Sequence, residues 1–193
     1  IQQTGLKAGM IINELLTLAS LRSNDIEFTL LEMKTVIEEG VNRMKLLIDE
    51  RKAEVILSPL YPQVRGHAPW IVEVVANLIS NAIKYGGEPP KIEVGADPEQ
   101  DGFTRFWIKD NGDGIPPKDQ ARLFHDFARL GRQQTGGHGL GLSITRRIIS
   151  KLGGSVGVES TGKEGEGAVF WFTLPGANRA ETGLRSDQDE GKR

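Results

Sequence analysis

Glu73-Val74-Val75-Ala76-Asn77-Leu78-Ile79-Ser80-Asn81-Ala82-Ile83-Lys84-Tyr85 is the stretch from which the fold can be reasoned. At helical periodicity, Glu73, Asn77, Asn81 and Lys84 fall within a stripe about 80° wide. The rest of the cylinder is apolar, with Ile71, Val72, Val74, Val75, Leu78, Ile79, Ala82 and Ile83. A helix apolar nearly all round belongs in a core, so the two amides and the ammonium should sit at a core's edge. Buried polar groups are costly unless something satisfies them. A neighbouring loop would serve for one Asn; for two Asn and a Lys on one face, a bound ligand is the better account.

Composition sets the frame around this helix. The 193 residues suit one ordinary domain plus an appendage. Apolar content of 38% and charged content of 26% describe a chain able to build a core. A net charge of -2 leaves no basic excess for nucleic acid or an anionic membrane. No apolar run reaches the roughly 18 residues of a membrane span, and no signal-peptide pattern is present. The absence of Cys removes disulfides and thiolate metal sites and fits a reducing compartment. The chain starts at Ile1, as an excised piece of a longer protein would.

Outward from the central helix, the pattern predicts the other elements. Residues 1–22 read as a helix, with Ala8, Ile11, Leu15 and Leu18 spaced 3-4-3. Gly5 and Gly9 each weaken it by roughly 1 kcal/mol, so it needs a partner. Ile26–Leu31 alternates as a strand, and Thr35–Ala53 forms one amphipathic helix. Glu54–Leu57 is a short strand. Tyr61–Gly66 is a loop with at most a brief extended piece. Pro69 sits where a first helical turn tolerates it, and Gly86-Gly87 closes the central helix with φ-permissive residues. Lys91–Ala96 and Phe103–Lys109 form a hairpin. Residues 110–138 are Gly-rich and mostly irregular, with a short helical piece over Pro117–Phe124. Leu140–Leu152 is helical, and Ser155–Ser160 with Ala168–Leu174 makes a second hairpin. Ala177–Arg193 lacks periodicity and reads as a flexible tail. The class is therefore α+β, a two-layer sandwich with helices on one face of a mixed sheet, preceded by one N-terminal helix.

Three segments converge on nucleotide chemistry. An Asn oxygen on the Asn77/Asn81/Lys84 stripe is a hard ligand of the kind Mg²⁺ accepts, and Lys84 is a point charge for phosphate. Asp110-Asn111-Gly112-Asp113-Gly114-Ile115 follows a strand. A carboxylate there can accept from an exocyclic amine such as adenine N6, with Gly112 and Gly114 allowing close approach. Alone, the segment is equally an Asp/Gly turn; the Glu that would complete a calcium loop is absent. Gly136-Gly137-His138-Gly139-Leu140-Gly141-Leu142 runs into a helix, where free N–H groups favour phosphate. It is neither a dinucleotide glycine motif nor a P-loop, and alone it could be a hinge.

Together, Asn77-Leu-Ile-Ser-Asn81-Ala-Ile-Lys84-Tyr85, Asp110-Asn-Gly112-Asp-Gly114-Ile115, Phe124-His-Asp-Phe127 and Gly137-His-Gly139-Leu-Gly141-Leu142 resemble the N, G1, F and G2 boxes of sensor histidine kinases, in that family's order. The likeness spans about residues 1–175. It implies a Bergerat-type sandwich binding ATP·Mg²⁺ under a lid over residues 112–138, in the wider group that includes gyrase, Hsp90 and MutL. By position, the resemblance gives Asn81 to Mg²⁺ with Asn77 assisting, Lys84 to phosphate and Tyr85 to the flank of the adenine. It gives Asp110 to adenine N6, beside Gly112, Gly114 and Ile115. Phe127 would anchor the lid, while Gly137, His138, Gly139, Leu140, Gly141 and Leu142 would surround the phosphates. Residues 1–22 resemble half of a dimerisation and phosphotransfer hairpin, 23–176 the ATP-binding catalytic domain, and 177–193 the tail.

The departures carry information too. The family's acceptor His lies on the first hairpin helix, yet no His precedes His67, and His125 and His138 fall in the lid region. Ala168 stands where the family often carries Ser or Thr. The expected function is therefore phosphoryl transfer from ATP to a His on a partner helix outside this chain. The acceptor hairpin of the parent kinase and a downstream response regulator would be its partners, with neither nucleic acid nor membrane contact. A homodimer of the full-length parent and a cytoplasmic location fit this reading, whether or not the parent is membrane-anchored. One alternative is a conformational ATPase of the Hsp90 or MutL kind. Those enzymes place a Glu where Asn77 stands, and an amide cannot take a proton from water. The other is a degenerate nucleotide-binding module, against which intact Asn81, Asp110 and the glycine box argue.

Overall fold

The computed structural model describes residues 27–98, 101–124 and 140–177. The expected N-terminal helix, most of the lid and all of the tail beyond Ala177 lie outside those residues. In chain order the elements are β1 (Thr29–Leu31), α1 (Met33–Arg43), α2 (Lys45–Arg51), β2 (Glu54–Leu57), β3 (Val64–Gly66), α3 (Ala68–Tyr85), β4 (Lys91–Pro98), β5 (Phe103–Asp110), α4 (Pro117–Gln120), α5 (Gly141–Lys151), β6 (Val156–Glu159) and β7 (Val169–Pro175).

The helix α3 occupies the centre, as its apolar girdle requires. Its side chains from Trp70 to Ile83 are buried except along the polar stripe. On one flank α1 crosses so near that a Cβ on Gly40 would stand 2.6 Å from Val75 Cγ1. On the other flank runs α5, whose Ile144, Ile148 and Ile149 are buried. Below lie β4 and β5. Each fully buried aliphatic side chain stabilises by roughly 1.5–3 kcal/mol, which makes this helix the main anchor of the fold.

The main sheet runs β2-β4-β5-β7-β6, with β2–β4 parallel and the other pairs antiparallel. On its helix-facing side Phe106 and Phe172 lie opposite each other and stack, centroids 5.3 Å apart. On the outer side Gly95, Trp107, Trp171 and Gly157 form one row across four strands. Each indole covers its neighbouring glycine: a Cβ at 95 or 157 would meet a Trp ring at 2.2 Å. Trp107 Nε1 donates to Asp97 at 2.9 Å, and the Arg105 guanidinium lies 4.8 Å from the Trp171 ring centre.

Three local expectations are corrected and a fourth holds. The single helix over 35–53 is two, because Met44 leaves helical geometry (φ -97°, ψ 4°) and starts α2. The strand expected from Ile26 begins at Thr29. The brief extended piece expected within the loop at 61–66 is β3, which pairs with β1 in a separate two-stranded sheet. Gly86 closes α3 in an extended conformation (φ -66°), not a left-handed one. Its need for glycine is spatial, since a Cβ there would lie 2.4 Å from Ala82 O.

Candidate functional site

Two helices meet at Asn77. The α3 and α5 axes run antiparallel, since Lys151 near the end of α5 lies over the Trp70 ring near the start of α3. That arrangement brings the first residue of α5, Gly141, against Asn77, and a Cβ at 141 would stand 3.2 Å from Asn77 Oδ1. Asn77 Nδ2 is buried and has no hydrogen-bond partner among the described residues. A buried amide hydrogen left unpaired is uncommon in folded proteins. The first turn of α5, whose opening N–H groups have no acceptor within the helix, begins at the same place.

Further along the stripe Asn81 and Lys84 are half-buried and Tyr85 is exposed. Lys84 also lines a cleft of about 270 Å³ between the ends of α2 and α3, beside Glu50, Lys52 and Glu88. Glu73, at the other end of the stripe, faces away: it accepts from Arg43 of α1 at 3.4 Å.

The second wall is the turn after β5. Asp110 is buried, and its Oδ1 accepts from Gly112 N at 2.9 Å and Ala168 N at 3.2 Å. Its other oxygen makes no hydrogen bond among the described residues. Burial raises the carboxyl's pKa above its ordinary value, and the amide bonds from Gly112 and Ala168 pull it back only in part. Gly112 lets the turn press on the end of α3; a Cβ there would lie 2.1 Å from Tyr85 O. Gly114 takes a left-handed φ of 74° and a Cβ there would meet Lys163 O at 2.8 Å, so two requirements fix it as glycine.

So the structure brings Asn77 to Gly141, and Tyr85 to Gly112 and Asp110, with Leu140 and Leu142 partly buried against the core. Phe127, Gly137, His138 and Gly139 lie outside the described residues. Another cleft, of about 460 Å³ between α4, Arg146 and β6, takes in none of the site residues.

Three polar side chains to which the sequence pattern assigns no role hold this site. Asn111 Oδ1 accepts from Gly87 N at 3.0 Å and Lys91 N at 2.8 Å, and its Nδ2 donates to Pro89 O at 3.2 Å. It thereby fixes the loop between α3 and β4. Ser160 and Gln120 grip the Ile115 backbone from a distant loop and from α4. An Asn-Gly pair hints at a turn, but no spacing announces partners 45 residues away.

The family described as "Histidine kinase-, DNA gyrase B-, and HSP90-like ATPase" matches residues 66–178. The phytochrome-like protein Cph1 of Synechocystis sp. is 33% identical over 170 residues, which cover 87% of this chain and 22% of that protein. The chain thus spans about a fifth of the length of the curated relatives it first matches. Among solved structures, the catalytic domain of histidine kinase ThkA superposes with a TM-score of 0.67 at 28% identity, covering 78% of this chain and 97% of that one. Full-length ShkA in complex with AMPPNP gives a TM-score of 0.73 at 30% identity, over 92% of this chain and 38% of that one. The chain belongs to the histidine kinase-, DNA gyrase B- and HSP90-like ATPase family, and within it to the ATP-binding catalytic domains of sensor histidine kinases.

Proposed function

We propose that this domain binds ATP with its adenine against Asp110 and its phosphates between Asn77, Asn81, Lys84 and the start of α5, and passes the γ-phosphoryl to a His on a partner helix. The observation that carries the proposal is the contact of Asn77 with Gly141. It sets an amide, whose Nδ2 has no partner among the described residues, at the N-terminal end of a helix, where anionic oxygens are favoured.

The unused oxygen of Asp110 accepts from the adenine amine, while Gly112, Gly114 and Ile115 give the base a close backbone wall. Lys84 is long enough to turn toward the phosphates from the same helix face, and Tyr85 flanks the base. Among the described residues no three His, Cys, Asp or Glu form a metal cage. A Mg²⁺ ion would therefore arrive with the nucleotide and take one protein oxygen, from Asn81, with Asn77 beside it. Bound there, it would neutralise charge on the phosphates.

Asn77 decides the reaction type. An amide cannot act as a general base, so water beside it is not activated, whereas an incoming imidazole supplies its own lone pair. Transfer then depends on holding the phosphates in line and neutralising them. The acceptor helix, a response regulator receiving the phosphoryl, a homodimeric cytoplasmic parent and the roles of Phe127, Gly137, His138 and Gly139 belong to the same proposal. No helix among the described residues is long and apolar enough to cross a membrane. Calorimetric titration of Asn81→Ala tests the metal assignment. The variant is expected to bind ATP equally with and without Mg²⁺, and an undiminished Mg²⁺ dependence would refute Asn81 as ligand.

A further inference from the structure

The turn that carries Asp110 has a bond of its own, from Gly112 N to Asp110 Oδ1, and is otherwise held from outside. Ile115, at its far end, has both backbone groups taken by side chains from elsewhere. Its N–H donates to Ser160 Oγ at 2.9 Å, and its carbonyl accepts from Gln120 Nε2 at 2.8 Å. Gln120 Nε2 also donates to Ser160 O at 2.7 Å, which closes a triangle of three chain segments. Ser160 Oγ in turn donates to Gly167 O at 2.7 Å. From there the connection runs back to the base wall: Gly167 N donates to Gly112 O at 2.9 Å, and Ala168 N to Asp110 Oδ1 at 3.2 Å. The loop from Ser160 to Ala168 thus bonds both ends of the turn, and Asp110 and Ile115 are held relative to each other through it.

The packing leaves no slack for the turn to shift without this loop. A Cβ on Gly114 would lie 3.1 Å from Ser160 Oγ, and one on Gly167 would lie 1.9 Å from Asp110 O. A single hydroxyl therefore satisfies one carbonyl and receives two amides, from Ile115 and, at 3.3 Å, from Gly162. Removing it leaves partly buried backbone groups unpaired, and relief comes most directly by moving the turn.

We propose that Ser160 and Gln120 are positioning residues for the nucleotide base, a clamp that holds the Asp110–Ile115 turn in its binding shape from the β6–β7 loop. The proposal rests on the reading of Asp110 as the partner of adenine. Because the clamp acts on the base wall and not on the phosphate end, its loss should weaken ADP and ATP by the same factor. Because both side chains act on one residue, breaking either should release the turn.

The test is titration calorimetry with ADP and with ATP on wild type, Ser160→Ala, Gln120→Leu and the double variant. It is run well below each melting temperature, with circular dichroism confirming the fold. Each single variant is expected to bind both nucleotides about tenfold more weakly, the scale of one lost hydrogen bond that leaves a partner unpaired. The double variant should lose no more than about the larger single loss, since the groups work as a unit. Should Ser160→Ala not fold, Gln120→Leu carries the same expectation alone. Folded variants that bind like wild type, a loss confined to ATP, or fully additive losses would overturn the clamp. Wild type that binds neither nucleotide, or Asp110→Asn that binds as wild type does, would instead overturn the base assignment beneath it.

Discussion

Asn77 on α3 and Gly141 on α5 are in contact, with room at residue 141 for a hydrogen but not comfortably for a methyl. A Cβ there would approach Asn77 Oδ1 to 3.2 Å, so Gly141→Ala must displace the amide by a few tenths of an ångström. Helix propensity pushes the other way, since Ala favours a helix over Gly by roughly 0.8–1 kcal/mol. The two effects separate by assay. The variant is expected to melt no lower than wild type while binding ATP up to about tenfold more weakly, and to keep its affinity for adenosine. Parallel melting and titration check this.

Asp110→Asn should separate binding from folding in another way. The Asn oxygen can still accept from Gly112 and Ala168, so the turn survives. The amide then stands where the free carboxylate oxygen was, and it presents a donor to the donor of the adenine amine. Loss of a charge-assisted bond together with this mismatch should weaken ATP by about tenfold to a hundredfold. Unchanged affinity in calorimetry would remove Asp110 from the adenine site.

The same carboxyl makes stability depend on pH in a definite sense. Burial raises its pKa in the folded chain above the ordinary 3.8. The folded chain therefore holds this proton more tightly than the unfolded one. The stabilisation is complete below 3.8 and is lost as pH rises through the raised folded value. At neutral pH the buried charge opposes folding. Asp110→Asn should thus melt above wild type at neutral pH, with the gap closing as pH falls toward 3.8. Melting curves across that range decide it.

How far the chain could be read in advance differs by element, for physical reasons. The helix from Ala68 to Tyr85, both hairpins and the class of fold follow from local periodicity and turn residues, which act over a few neighbours. The break at Met44 does not. Apolar spacing continues across it, and the pieces on either side both pack on α3. Lys52 in a left-handed conformation (φ 51°) ends α2 without a glycine to announce it. The candidate site residues stand out in the sequence because glycines and amides cluster there. Asn111 and Ser160 do not, because their partners are distant in sequence, and Gln120 joins Ile115 to Ser160, which is near only after folding.

The outer row of the sheet offers a test of the fold apart from any ligand. Gly95 lies beneath Trp107, where a Cβ would meet the ring at 2.2 Å. Gly95→Val follows strand propensity but forces the indole off its seat and away from Asp97. Overpacking of this kind costs about 1–3 kcal/mol, so denaturant titration should show a lower midpoint. A midpoint equal to wild type would mean that Trp107 rearranges freely.

The domain should also be unable to label itself. His67 immediately precedes α3 with its ring edge-on to Trp70, centroids 5.1 Å apart, and no His precedes it. Incubated alone with γ-labelled ATP and Mg²⁺, the chain is expected to acquire no acid-labile phosphate. Stable labelling of His67, His125 or His138 would place the acceptor within it.

The most direct measurement adds a separate helical hairpin, carrying one acceptor His, from the same parent kinase to that incubation. An attacking group that comes from outside, beside a neutral Asn77, predicts acid-labile label on the hairpin His, dependent on Mg²⁺ and abolished by Asp110→Asn. Release of inorganic phosphate at the same rate with or without the hairpin, and no label on its His, would contradict the account and make this chain an ATPase.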